Sequence, residues 1–136
     1  MILVDASAWV EYDRATGSPV DRRLTGLIES DGPVAVTEPI ILEVQAGARD
    51  DQRQERLRGL LLRFELLRFD PVADFDGAAL IYRRCRAAGV TPRGLLDCMI
   101  AAVAWRNHAA LLAEDADLER VAAVIGIDVD QPGRPV

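Results

Sequence analysis

The 136-residue sequence contains no lysine: all sixteen of its basic residues are arginine. That absence excludes Schiff-base chemistry, a lysine-built phosphate loop, and the lysine that receiver domains place beside their phosphoacceptor aspartate. Histidine is nearly as scarce. With His108 alone, no multi-histidine zinc site can be built, and a Ser-His-Asp triad would have to use that one imidazole. No GxSxG elbow is present to serve such a triad. The two cysteines, Cys85 and Cys98, stand in apolar helical contexts without CxxC spacing, so they read as core thiols rather than a disulfide or metal pair. No apolar run is long enough to span a bilayer, and the opening run lacks the basic flank and cleavage site of a secretory signal. A cytoplasmic protein without membrane association is the expectation. Any chemistry falls to carboxylates, hydroxyls and arginines.

What is present is a globular composition, half hydrophobic and 28% charged, in a length that suits one domain over residues 1–136. The net charge of −6 argues at first against a nucleic-acid partner, because phosphate binding is driven by basic residues that displace counterions. The distribution of charge is less uniform than its sum. Residues 77–96 carry Arg83, Arg84, Arg86 and Arg93 and no acid, whereas residues 1–48 and 114–130 each carry a net −5. Arg49, Arg53 and Arg56 stand among acids at helical spacing and can simply pair with them.

Short apolar runs at 2–4, 34–36, 66–70, 110–113 and 127–129 read as strands. Between them the apolar spacing is helical: 7–13 capped by Ser7, 18–28, a helix after Thr37, 51–62, 74–88, 95–106 and 117–124. Strands that alternate with helices imply parallel crossovers, hence an α/β fold with an open sheet covered by helices on both faces.

In such sheets ligands gather beyond the carboxyl ends of the strands, where strand order reverses. Asp5 ends the first apolar run, and Asp115 stands just past the fourth; they meet if those two strands are neighbours. Asp97 opens an apolar helix among Leu95, Leu96, Cys98, Met99 and Ile100. A carboxylate there must be a cap, an ion-pair partner or a metal ligand, since burying it unpaired costs several kcal/mol. Glu43, between Leu42 and Val44, is similarly awkward on an apolar helix face, although an exposed helical glutamate is its plain alternative.

"VDASAW" at 4–9, "EPIILEV" at 38–44, "LLDCMIAA" at 95–102 and "EDADL" at 114–118 together resemble the PIN-domain nucleases, specifically the VapC-type toxins of VapBC toxin–antitoxin systems. The resemblance implies a five-stranded parallel sheet in an αβα sandwich and an Mg²⁺- or Mn²⁺-dependent ribonuclease. Asp5, Glu43, Asp97 and Asp115 fall on the family's active-site positions, with Asp5, Asp97 and Asp115 the metal ligands and Glu43 acting on the attacking water. Ser7 matches the small hydroxyl residue that supports the first aspartate, and Asp117 is an alternative ligand. The chain departs from the family pattern at Ala113, where a hydroxyl residue is usual, and at Leu118, where an aromatic is. A homodimer and a cognate VapB antitoxin are also implied.

The ligand type agrees with hard divalent cations, which prefer oxygen. Carboxylates crowded together without an ion would raise at least one pKa. Arg93, four residues before Asp97, is placed to seat an RNA phosphate, while Trp9, Trp105 and Tyr82 read as core or interface rather than as base-stacking platforms. Two other readings remain at this stage: a non-catalytic α/β module whose acids are caps and surface charges, and a metal-dependent nuclease acting on structured DNA.

Overall fold

A computed structural model describes residues 1–130; the last six residues of the expected 1–136 domain lie outside the described part. The chain alternates strands and helices: β1 (Ile2–Val4), α1 (Ala6–Asp13), α2 (Pro19–Glu29), β2 (Val34–Val36), α3 (Glu38–Ala46), α4 (Asp51–Leu61), β3 (Glu65–Leu66), α5 (Ala73–Ala87), α6 (Leu95–Arg106), β4 (Ala110–Leu112) and α7 (Ala116–Ile125). The strands form one parallel sheet in the order β3-β2-β1-β4. This is the α/β architecture expected from the alternation. β1 and β2 are buried along their whole length, which is why both read as unbroken apolar runs rather than as alternating ones.

Among the described residues the sheet has four strands, not five. Residues 127–129 contribute a single parallel bridge between Val129 and Leu111; the Leu111 N–H donates to the Asp128 carbonyl and the Asp130 N–H to the Leu111 carbonyl. A one-residue contact on the edge of β4 is all that the short run achieves. β3 is likewise shorter than the 66–70 expected. After the Leu67 N–H donates to the Val36 carbonyl at 2.8 Å, the Phe69 N–H donates instead to the Glu38 side chain and Asp70 accepts from the backbone of Val72 and Ala73. The ladder therefore ends as α5 begins.

Helices α5, α6 and α7 rest on one another, while α1 contacts α2 and α3, and α3 contacts α4. Gly77 permits the close α5–α6 approach, since a Cβ there would lie 3.3 Å from the Ala102 Cβ. The core runs through Leu3, Val4, Trp9, Leu24, Ile40 and Ile100, all fully or nearly fully buried. Cys85 and Cys98 are buried free thiols, and no helix among the described residues is long and apolar enough to cross a membrane.

Candidate active site

The adjacency on which the site depends is present. β1 pairs with β4 in the register Val4↔Leu112, and one more ladder bond, from the Asp5 N–H to the Leu112 carbonyl at 2.9 Å, carries the pairing to the carboxyl end. Strand order reverses at this point, because β2 and β3 lie on the other side of β1. Asp5 and Asp115 are thereby delivered to the same edge of the sheet, where the loops of an open parallel fold leave a crevice.

Asp5, and not Ser7, is the N-cap of α1: its Oδ2 accepts from the Ser7 N–H at 3.1 Å. The Ser7 hydroxyl has a different task. It donates to the same Asp5 Oδ2 at 2.6 Å and accepts from the Glu114 N–H at 2.9 Å, bridging the ends of β1 and β4. Asp115 caps α7, with Oδ1 accepting from the N–H groups of Asp117 and Leu118. Asp97 lies in the first turn of α6 and does not cap it; that position belongs to Gly94. Glu43 sits midway along α3. Thr37 occupies the N-cap of α3, but its hydroxyl makes no capping bond.

Two of the four acids therefore have ordinary structural duties. The electrostatics nevertheless join all four. Burial first, then the negative charges of Asp5, Asp97 and Asp115, push Glu43 up to about 7. Burial, Asp115 and Asp5 push Asp97 up to about 6. Asp5 is also raised, chiefly by burial and secondarily by Asp115, against the opposing hydrogen bonds from Ser7. These shifts arise because the acids converge from β1, α3, α6 and the β4–α7 turn. The buried Oδ1 of Asp5 and Oε1 of Glu43 have no hydrogen-bond partner, and neither does Oγ1 of Thr37 at the end of β2. Unpaired oxygens of this kind are costly to keep unless something polar or charged occupies the space beside them.

The donor set fits a hard divalent cation: all oxygen, carboxylate-rich, with buried unpartnered oxygens on Asp5 and Glu43. It is not drawn shut. Among the described residues no three acid, histidine or cysteine side chains stand close enough to enclose an ion. A guanidinium stands among them. Arg93 Nη2 donates to Asp115 Oδ2 at 2.6 Å and Arg93 Nη1 stands 3.7 Å from Asp117; its charge offsets part of the rise at Glu43 and Asp97.

Other arginines are distributed differently from their sequence neighbourhoods. Arg53 and Arg56 of α4 reach Asp13 of α1, rather than acids of their own helix. Arg84 lies over the Trp105 ring and Arg86 over Tyr82, so these aromatics are covered, and Trp9 is core. A cleft of about 380 Å³ has Glu43 in its wall, together with Arg14, Arg49 and Arg53. Arg14 carries no distinguishing signal in the sequence; only the fold brings it beside Glu43.

A PIN domain model matches residues 2–124. The chain is 41% identical over 128 residues to ribonuclease VapC11 of Mycobacterium tuberculosis, a match spanning 93% of this chain and 96% of the relative. The chain belongs to the PIN-domain family. A VapC ribonuclease of Mycobacterium bovis matches this PIN domain with the same identity and coverage. Among solved structures, VapBC2 from Rickettsia felis, bound to a DNA fragment from its promoter, aligns with TM-score 0.74 at 18% identity over 96% of this chain and 98% of that one. The Mycobacterium tuberculosis toxin VapC20, described as cleaving the sarcin–ricin loop, aligns at 0.70 with 16% identity over 97% of this chain and 100% of that one. At these identities the structural matches speak for the PIN fold alone.

Two consequences of the geometry are measurable. Glu43 and Asp97 have folded pKa values of about 7 and about 6 against ordinary values of 4.5 and 3.8. The folded protein thus holds protons that the unfolded chain has released, and stability is lost as pH rises through that window. Without divalent ions, thermal unfolding should show the domain less stable at about pH 7.5 than at about pH 5.5, by about 1–2 kcal/mol once solvent screening of these half-buried groups reduces the full shifts. Stability that is flat or rising across this interval would contradict the crowding. The second consequence concerns Ser7. Ser7→Ala removes the hydroxyl bridge, so cleavage should fall about 10- to 100-fold and stability by about 1 kcal/mol; activity at the wild-type level would show that Asp5 needs no such support.

Proposed function

We propose that the chain is the toxin ribonuclease of a VapBC-type toxin–antitoxin pair and cleaves RNA endonucleolytically with Mg²⁺ or Mn²⁺. The observation that carries the reading is the convergence of Asp5, Glu43, Asp97 and Asp115 from four separate elements, with Glu43 and Asp97 raised by burial and by the charges of the neighbouring aspartates. Relatives named VapC ribonucleases, similar over nearly the whole chain, support the activity.

Asp5 and Asp97 would hold the ion directly, with Asp115 completing the set or orienting water. The bound ion would lower the pKa of water and neutralise charge developing on the scissile phosphate. Glu43 takes a proton at its carboxylate from the attacking water, as a general base. Water adds to phosphorus in line with the departing 3′-oxygen, the P–O3′ bond breaks, the 3′-oxygen takes its proton from solvent water, and Glu43 returns its own proton to solvent. The products are a 5′-phosphate and a 3′-hydroxyl. Ser7 holds Asp5 in register, and Arg93, Arg14 and Arg49 supply guanidinium groups for phosphates beside the site.

A cognate VapB antitoxin is the partner, and the toxin is a homodimer. The R. felis structure is itself a VapBC assembly, which supports the first of these. Equimolar RNA and DNA oligonucleotides, incubated with Mg²⁺, Mn²⁺ or chelator, test the activity. RNA cleavage that requires the metal supports it; cleavage confined to structured DNA would establish the DNA nuclease instead, and no cleavage of either, with no metal binding, a non-catalytic module.

A further inference from the structure

Both oxygens of Asp115 are engaged. Oδ1 accepts from two amides at the start of α7, at 2.9 and 3.3 Å, and Oδ2 accepts from Arg93 at 2.6 Å. The amide contacts belong to the helix cap and persist with the fold. The guanidinium contact does not share that permanence. Arg93 lies between α5 and α6, with Gly94 immediately after it, and its side chain is 66% exposed. Its charged partners are the acids of the site: Asp115, Asp117 and, through space, Asp97. It can withdraw without moving any core residue.

A divalent cation seeks the oxygens that Arg93 now covers, and two cations cannot share them without strong repulsion. We infer that Arg93 is an exchangeable counter-ion of the acid cluster: it covers Asp115 and Asp117 while no divalent ion is bound, yields them when one enters, and transfers its guanidinium to the phosphate that arrives with the substrate. The inference rests on the metal-dependent reading of the site. The exchange is feasible because an exposed ion pair contributes little to stability, so an ion of higher charge displaces it readily. Phosphate is a suitable second partner, since the guanidinium fork matches its paired oxygens as well as it matches a carboxylate. The same exchange joins metal and RNA binding, because each event frees or occupies the same side chain.

Arg93→Gln separates the two stations of this residue, and its effects should have opposite signs. Titrated with Mn²⁺ in a calorimeter without RNA, the variant should bind about two- to fivefold more tightly than wild type, because one competing ion pair is gone. At saturating Mn²⁺ its KM for RNA should rise about tenfold, the loss of one charge-assisted hydrogen bond. Arg93→Lys, which keeps the charge but not the fork, should return the Mn²⁺ affinity most of the way to wild type and the KM only in part. Unchanged or weaker Mn²⁺ binding by Arg93→Gln, while wild type binds the ion, overturns the exchange and leaves the metal-dependent reading intact; an unchanged KM overturns the transfer to phosphate. If wild type binds no Mn²⁺, that reading fails and the inference with it.

Discussion

Asp97→Asn is expected to reduce RNA cleavage by about a thousandfold or more while the protein remains folded and, without metal, is as stable as wild type or more so. The two halves of this result come from the same electrostatics. Asp97 is held up to about 6 by burial and by the negative charges of Asp115 and Asp5, so near neutral pH its ionised form is maintained at a cost to the fold. Asparagine keeps the shape and removes the charge. Repulsion in the cluster falls, and so does the ability to hold a divalent ion. Cleavage assays and thermal unfolding on the same preparation check both halves. A loss of activity accompanied by a lower melting temperature would mean that Asp97 serves the fold from the first turn of α6.

Trp9→Ala carries the largest expected stability effect, about 3–5 kcal/mol. Trp9 is 1% exposed, stands edge-on to Tyr12 with ring centroids 6.0 Å apart and tilted against Phe64 at 5.2 Å, and donates its indole N–H to the Val4 carbonyl at 3.1 Å. Removing it opens a cavity and leaves the last carbonyl of β1 without that donor, directly before Asp5. The damage should therefore reach the site as well as the core. Denaturant unfolding should show the midpoint shift; a change below about 1 kcal/mol would mean that the surroundings collapse onto the vacated space.

Much of this was legible in the sequence wherever one local signal decided the outcome. α6 begins and ends at Leu95 and Arg106 as the apolar run predicts, and the 18–28 helix is present one residue later, at Pro19–Glu29. The sequence signal weakened where two residues could perform one task. Asp5 and Ser7 are both good capping types, and the fold uses Asp5 as the cap because the Ser7 hydroxyl is occupied in tying Asp5 to Glu114. The fifth strand was overread because apolar composition at 127–129 says nothing about how many ladder bonds an edge will form.

The acid cluster was visible as four motifs, yet its consequences were not. Arg93 and Asp115 are 22 residues apart, and no spacing rule connects them; the packing of α6 against α7 brings the turns before the two helices within hydrogen-bonding distance. Arg53 and Arg56 meet Asp13 for the same reason, across the α1–α4 contact rather than along one helix.

The account depends on four carboxylates sharing one ion-binding region. The most direct measurement is anomalous diffraction from crystals soaked in Mn²⁺. The account predicts a peak bounded by Asp5 and Asp97, with Asp115 within reach and Arg93 displaced from it. A well-diffracting soaked crystal with its only manganese peaks remote from these residues, or with none at all, would contradict it.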